Sequence, residues 1–232
     1  MTEPGSTKAR LPVVAIDGPA GAGKSTLAAH LARRFGLLNL ESGAMYRALA
    51  LKAIESDIDF DDEAALSALI ATTTIELEQQ SDGNRVMLDG MDVTRRVRDR
   101  DVAEGASRVS VHPEVRVWMV AQQRALGAQG GVVMEGRDIG TKVFPDAEVK
   151  IFLDAAPEVR GQRRFRQGGP VEPTVTEETV IAAMRERDAR DRTRVTSPLE
   201  PAPDAILLDS TGMSFEEVTA RSEEIVRAKL AH

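Results

Sequence analysis

Apolar and polar positions follow two rhythms along this chain. Val13 to Ile16, Leu37 to Leu40, Val132 to Met134, Val149 to Leu153 and Ala205 to Leu208 are short, nearly unbroken apolar runs. Runs of that length without alternation predict strands buried on both faces. Between them lie segments with apolar residues at helical spacing: 27–35, 44–54, 64–70, 102–111, 113–126, 157–166, about 176–193 and 215–230. Strands alternating with helices predict an α/β fold with a five-stranded parallel sheet covered on both faces, a three-layer α/β/α arrangement.

One stretch breaks this rhythm. Thr74 to Glu78 and Arg85 to Leu88 alternate with period two, with turn residues at 81–84 and at Asp89-Gly90, and Met91 to Thr94 follows as a third extended piece. This pattern predicts a small antiparallel meander, too small to hold a core of its own. It reads as part of an insertion spanning about 60–108 within a single domain over 12–232, preceded by a polar, disordered leader at 1–11. The leader lacks the apolar core of a signal peptide. No run approaches the roughly 20 apolar residues of a membrane span, so the expectation is a cytoplasmic protein.

The polar residues at the ends of the apolar runs carry the chemistry. In a parallel sheet, ligands gather beyond the carboxyl ends of the strands. Those ends hold Asp17, Glu41-Ser42, Glu135 to Asp138, Asp154, and Asp209 to Thr211. After the first run, Gly18-Pro19-Ala20-Gly21-Ala22-Gly23-Lys24-Ser25 fits G-x-x-x-x-G-K-[ST] and leads through Thr26 into a helix. Strand, glycine loop and helix in that order predict a nucleoside triphosphate site. Backbone N–H groups of Gly18 to Thr26 would cradle phosphates, Lys24 would reach the β- and γ-phosphates, and Ser25 would ligate Mg²⁺. Asp17 and Glu135 are the candidates for the water shell of that ion. Ser42, before the second predicted helix, reads as its N-cap.

Composition narrows the choice. Aromatic residues are 3 % of the chain and the net charge is −7, which disfavours nucleic-acid partners. With no cysteine, thiolate chemistry and disulfides are excluded. The guanine-specific Asn-Lys-x-Asp motif of signalling GTPases is absent, since neither Asn39 nor Asn84 precedes lysine. Arginine supplies 24 of the 30 basic residues, nine of them between Arg160 and Arg194. Some of these arginines fit a solvated helix face, but planar guanidinium forks also suit the charge that develops in phosphoryl transfer. Two such helices around Gly168-Gly-Pro170 predict a lid over about 160–176. A compact core with an insertion and a lid points to a small-molecule kinase. A kinase for another acceptor, such as UMP or shikimate, would differ only in its pocket. A nucleotide-sensing module would be expected to lack Lys24 or the lid arginines, and this chain has both.

Together, Ile16 to Thr26, Ser42-Gly-Ala-Met-Tyr-Arg47, Val86 to Thr94, Gly136-Arg-Asp-Ile-Gly140, Val149 to Asp154, Arg187 to Arg194 and Asp209 to Thr211 resemble the bacterial cytidylate (CMP/dCMP) kinases. The resemblance runs from about Val13 to the C-terminus. It implies ATP as donor, CMP or dCMP as acceptor, Mg²⁺ as cofactor, and a monomer. It places Arg47, Arg137 and Arg194 on the acceptor phosphate, Ser107, Arg116 and Asp138 at the cytosine, and Arg187 and Asp191 near the ribose. Ser42 also falls in the acceptor site, and Arg160 and Arg163 join Lys24, Arg137 and Arg194 as catalytic candidates. A carboxylate at Asp138 can accept from the cytosine amine while Arg116 donates to the ring acceptors. The competing reading is an N-cap or turn role for Asp138 and a surface charge for Arg116. Glu41 and Glu135 stand where the family commonly has aspartate.

Overall fold

The computed structural model describes residues 11–80, 83–167 and 176–231. The leader up to residue 10, the middle of the first meander turn, and residues 168–175, the Gly-Gly-Pro loop and the part of the expected lid after it, lie outside them. The five apolar runs form β1 (Val13–Asp17), β2 (Leu38–Glu41), β6 (Val132–Gly136), β7 (Val149–Asp154) and β8 (Ile206–Asp209). They build one parallel sheet in the order β2-β6-β1-β7-β8. The central β1 is buried at all five positions, which is why its sequence shows no alternation.

Register brings the polar strand ends together. Glu41 pairs with Glu135, Ile16 with Glu135, Asp17 with Gly136, and Asp154 with Asp209. The expected carboxyl-end convergence is therefore a single edge of the sheet. Successive β1 side chains point to opposite layers. Val14 and Ile16 pack with α1 (Lys24–Phe35) and α8 (Phe215–Leu230), through Leu27, Leu31, Ile225 and Val226. Val13 and Ala15 pack on the other side with Leu40, Met134, Ile139 and Phe144.

A third cluster is built around α2 (Ser42–Glu55). This helix is apolar nearly all round, burying Met45, Leu49 and Leu51 among others, because it is surrounded. Around it lie α3 (Glu63–Ile70), α4 (Arg100–Val109), α5 (Pro113–Leu126) and the meander strands β3 (Ile75–Gln80), β4 (Gly83–Leu88) and β5 (Met91–Asp92). The meander contributes Ile75, Val86 and Leu88 to this shared core rather than forming one alone. Among the described residues the remaining α-helices are α6 (Pro157–Gln167) and α7 (Glu177–Thr193).

Two features depart from the sequence reading. Ser42 does not cap α2: Glu41 holds the cap position, and Ser42 is the first helical residue. Its hydroxyl donates instead to the Glu135 carbonyl at 2.7 Å, satisfying an acceptor at the end of β6. The other is a π-helical turn over Ile139–Val143, in a segment for which the apolar pattern predicts no element.

The meander meets the sheet through Leu77, which packs against the cluster of Leu40 and Met134, and through one polar side chain. Asn84 donates to the Asn39 carbonyl at 2.8 Å and accepts from the Glu41 N–H at 3.2 Å, and it is buried. These are the outward-facing groups of the edge strand β2. Replacing Asn84 with alanine leaves a buried donor and acceptor unpaired and is expected to cost about 1–3 kcal/mol. Urea unfolding measures this; a loss below about 0.5 kcal/mol, the level of an ordinary surface substitution, contradicts the assignment.

Candidate active site

The glycine loop is fixed by close backbone approach. Gly18 has φ 148°, and a Cβ there would stand 1.9 Å from the Leu153 carbonyl oxygen of β7, so no other residue fits. Gly23, at φ 96°, caps α1 without a side chain and leaves the helix N-terminus open toward the loop. The Lys24 ammonium is buried inside the loop and donates to the Pro19 carbonyl at 2.8 Å. Its other close neighbour is Glu135, with Oε2 at 4.0 Å. Burial pulls the Lys24 amine down to about 7, reinforced by Arg137 and opposed by Glu135.

The Ser25 hydroxyl donates to Glu135 Oε1 at 3.2 Å. Among the described residues no cluster of three acidic, histidine or cysteine side chains could hold a metal alone. A hydroxyl beside one carboxylate nevertheless fits Mg²⁺, which takes one or two protein oxygens and completes its shell with water and phosphate. The longer Glu135 side chain does reach Ser25. Asp17 is different: both of its oxygens are occupied, accepting the N–H groups of Ile139 at 2.8 Å and Gly140 at 2.7 Å. Burial pushes its carboxyl up to about 7 against the pull of those two N–H groups. Asp17 is thereby attached to the 139–143 turn.

Arg160 and Arg163 each take protein partners. Arg160 is buried, with Nε on the Ala155 carbonyl at 2.7 Å, Nη1 on the Ala20 carbonyl at 2.9 Å and Nη2 against Asp188 at 2.5 Å. It ties α6 and α7 to the tip of the glycine loop. Arg163 donates to Ser210, 2.8 Å to its carbonyl and 3.2 Å to its hydroxyl, and so braces the loop after β8. Spacing along a helix cannot distinguish such braces from phosphate ligands.

The remaining candidates converge. A pocket beside the glycine loop is lined by Ser42, Gly43, Tyr46 and Arg47 of α2, Ala103 and Ala106 of α4, then Ser110 and Arg116. Its other wall is Gly136, Arg137, Asp138, Arg187, Asp191 and Arg194. Asp191 bridges two arginines, with Arg137 Nε at 2.9 Å and Arg194 Nη1 at 3.4 Å. Burial alone would raise its carboxyl; Arg137, Arg187 and Arg194 outweigh this and hold it below the ordinary range. Burial and the neighbouring Arg137 pull Arg187 down to about 10. Arg47 faces Glu41 at 3.5 Å.

Arg116 is 2 % exposed, which excludes a surface charge. It donates to Asp138 Oδ2 at 2.6 Å and to the Ser110 carbonyl at 3.1 Å, with its guanidinium 5.5 Å from the Tyr46 ring centroid. The buried donors left without a partner include Tyr46 Oη, Arg47 Nε, Arg116 Nε, Arg187 Nε and Arg194 Nη2. Unpaired buried polar groups are rare in folded proteins, and a concentration of donors in one pocket calls for an oxygen-rich anion. Ser107 is buried with an unpaired hydroxyl, but Ala103, Ala106 and Ser110 line the pocket in its place.

Tyr46, quoted above only within a motif, and Arg98 are given no role in the site by the sequence reading. Tyr46 lies one turn after Ser42 on the same face of α2, and that spacing could have found it. Arg98 is near enough to Glu41 and Arg47 to act on both electrostatically. A second cavity of about 540 Å³ lies along the meander, but its Arg85 and Arg96 are already paired with acidic neighbours.

A glycine loop with a buried lysine and a serine–carboxylate pair, opening beside an arginine-lined pocket, defines a P-loop phosphotransferase. The family profile described as cytidylate kinase matches residues 14–228. A cytidylate kinase of Solibacter usitatus is 47 % identical over 228 residues, covering 97 % of each chain. One from Pelotomaculum thermopropionicum is 49 % identical over 208 residues, covering 89 % of this chain and 92 % of its own. The chain belongs to the cytidylate kinase family. In fold it also resembles an uncharacterised protein of Eubacterium ventriosum, with a TM-score of 0.51 at 13 % identity over 94 % of this chain and 99 % of that one. No helix among the described residues is long and apolar enough to cross a membrane.

The Lys24 amine sets a pH dependence. Only its ammonium form could hold a donor phosphate, so kcat/KM for ATP is expected to fall as pH rises through about 7. Lys24→Arg, which stays charged, is expected to remove that limb even at lower activity. A wild-type profile flat between about pH 6 and 9 contradicts this placement of the lysine.

Proposed function

We propose that the protein transfers the γ-phosphate of ATP to CMP or dCMP, giving ADP and CDP or dCDP. The observation that carries this reading is the set of unpaired buried donors on residues that line one pocket beside the glycine loop, backed by the Arg116–Asp138 pair. The acceptor phosphate is already anionic, so no general base is needed; an acceptor oxygen attacks the γ-phosphorus in line while the bond to the ADP oxygen breaks.

The loop N–H groups and Lys24 hold the donor phosphates. Arg47, Arg137 and Arg194 take the acceptor phosphate, Arg187 and Asp191 the ribose. Ser42 spends its hydroxyl on Glu135 and contributes by fixing the start of α2. Asp138 and Arg116 read the base: a carboxylate accepts from the cytosine amine and is repelled by the oxygen that uracil carries there. Ser25 and Glu135 would hold Mg²⁺, which when bound neutralises phosphate charge. A monomer as the working unit is part of the same proposal.

A coupled assay of ATP with CMP, dCMP, UMP and AMP tests the reading. CMP and dCMP are expected to be turned over far better than UMP and AMP. Equal or better turnover of UMP or AMP would move the acceptor, and ATP binding without turnover of any of them would make the protein a sensor. Lys24→Ala is expected to lower kcat by about 100-fold or more while CMP still binds in equilibrium titration. Asp138→Ala is expected to erode CMP-over-UMP discrimination by about 1–3 kcal/mol, read as the ratio of kcat/KM values.

A further inference from the structure

Asp138 holds the N-cap position of the π turn. Its carbonyl accepts from Lys142 at 2.8 Å and Val143 at 3.1 Å, and its own backbone, at φ −145° and ψ 24°, is not helical. An aspartate there ordinarily turns its carboxylate back onto the first free N–H groups of the turn. Asp138 makes no such bond. The N–H groups of Ile139 and Gly140 go instead to Asp17, one to each oxygen, from 122 residues earlier in the chain. The register of β1 on β6 allows this, because Asp17 stands beside Gly136. Gly140 leaves the room: a Cβ on it would lie 3.3 Å from Asp17 Oδ2 and 3.2 Å from Lys150 Cδ. With the cap supplied from outside, the Asp138 carboxylate is released to Arg116 at 2.6 Å.

We propose that Asp17 is a positioning residue for base recognition: by capping the 139–143 turn in place of Asp138, it keeps the Asp138 carboxylate on Arg116 and facing the acceptor pocket. The inference rests on the cytidylate reading for the identity of the base, though not for the side-chain arrangement. Without Asp17 two buried N–H groups lose their acceptor, and the Asp138 carboxylate, on the N-cap residue of the same turn, is the replacement expected of that position. Once turned back, that carboxylate leaves both Arg116 and the base. Asp17 also immediately precedes Gly18, so one residue anchors the start of the donor loop and the loop that reads the acceptor.

The test is steady-state kinetics with CMP and with UMP at saturating ATP, on wild type, Asp17→Asn, Asp138→Asn and the double variant. The Asp17→Asn substitution keeps the size of the side chain but turns one acceptor into a donor facing an N–H. Asp17→Asn is expected to raise KM for CMP more than it lowers kcat, and to cut the CMP:UMP ratio of kcat/KM about tenfold. In the Asp138→Asn background it is expected to change that ratio by less than about twofold, since the residue it positions is gone. An unchanged ratio in Asp17→Asn, or effects that multiply in the double variant, overturns the proposal. Gly140→Ala, which crowds the Asp17 carboxylate, is expected to shift the ratio in the same direction and serves if Asp17→Asn does not fold; an unchanged ratio there is equally adverse. A crystal structure of Asp17→Asn, or of Gly140→Ala if that variant replaces it, separates this inference from the substrate assignment. Asp138 turned onto Ile139 and Gly140 supports it, and an intact Asp138–Arg116 pair refutes it, whichever acceptor the wild type prefers.

Discussion

Buried positive charge governs this site. Arginines crowded out of water repel one another, and each needs a carboxylate or a ring of carbonyls to remain there. The structure meets that need group by group. Asp191 stands between Arg137 and Arg194, Asp138 holds Arg116, Asp188 holds Arg160, and Glu41 faces Arg47. These carboxylates neutralise part of the charge and spend only part of the hydrogen-bonding capacity, leaving guanidinium edges unpaired inside the pocket. The remaining positive potential and the free donors are what an anionic nucleotide would satisfy. Catalysis by charge stabilisation needs such donors placed in advance, in a site that excludes water.

The same economy explains how the two halves of the cleft communicate. The tip of the glycine loop is held by Arg160 through the Ala20 carbonyl, and Met184 of α7 closes over Gly21, where even a methyl group would collide with its Cε. Arg137, whose backbone continues β6, reaches α7 through Asp191. Donor loop, central sheet and arginine helices are thereby joined by buried polar contacts as well as by the packing of Met184. Polar contacts of this kind have strict geometry, so a displacement at one end changes which partners remain at the other.

The fold was largely legible in the sequence, and the site partly so. Unbroken apolar runs identify buried parallel strands because both faces are covered, and Gly18 to Ser25 identifies itself because backbone geometry leaves little freedom there. The period-two stretch likewise marks the meander. What spacing could not show is the partner each polar side chain chooses. Arg160 and Arg163 sit on an arginine-dense helix and look like phosphate ligands; their forks end on Ala20, Asp188 and Ser210 because register and helix packing bring those groups within reach. Ser42 has the residue type of an N-cap, but the Glu135 carbonyl is nearer to its needs. The π turn escapes notice because its stability comes from a carboxylate far away in the chain. Tyr46 was missed for a simpler reason: a lone aromatic at helical spacing also fits a core position.

The amide of Asn84 bears on how the sheet ends. An exposed edge strand presents a row of unpaired N–H and C=O groups that can template addition of another strand, from this molecule or from another copy. On β2, a carbonyl and an N–H two residues apart are already taken by one side chain that mimics the backbone of a missing neighbour. The meander brings that side chain to the edge without lying down as a sixth strand. A single asparagine thus takes two of the backbone groups to which an added strand would otherwise bond, which works against edge-to-edge association.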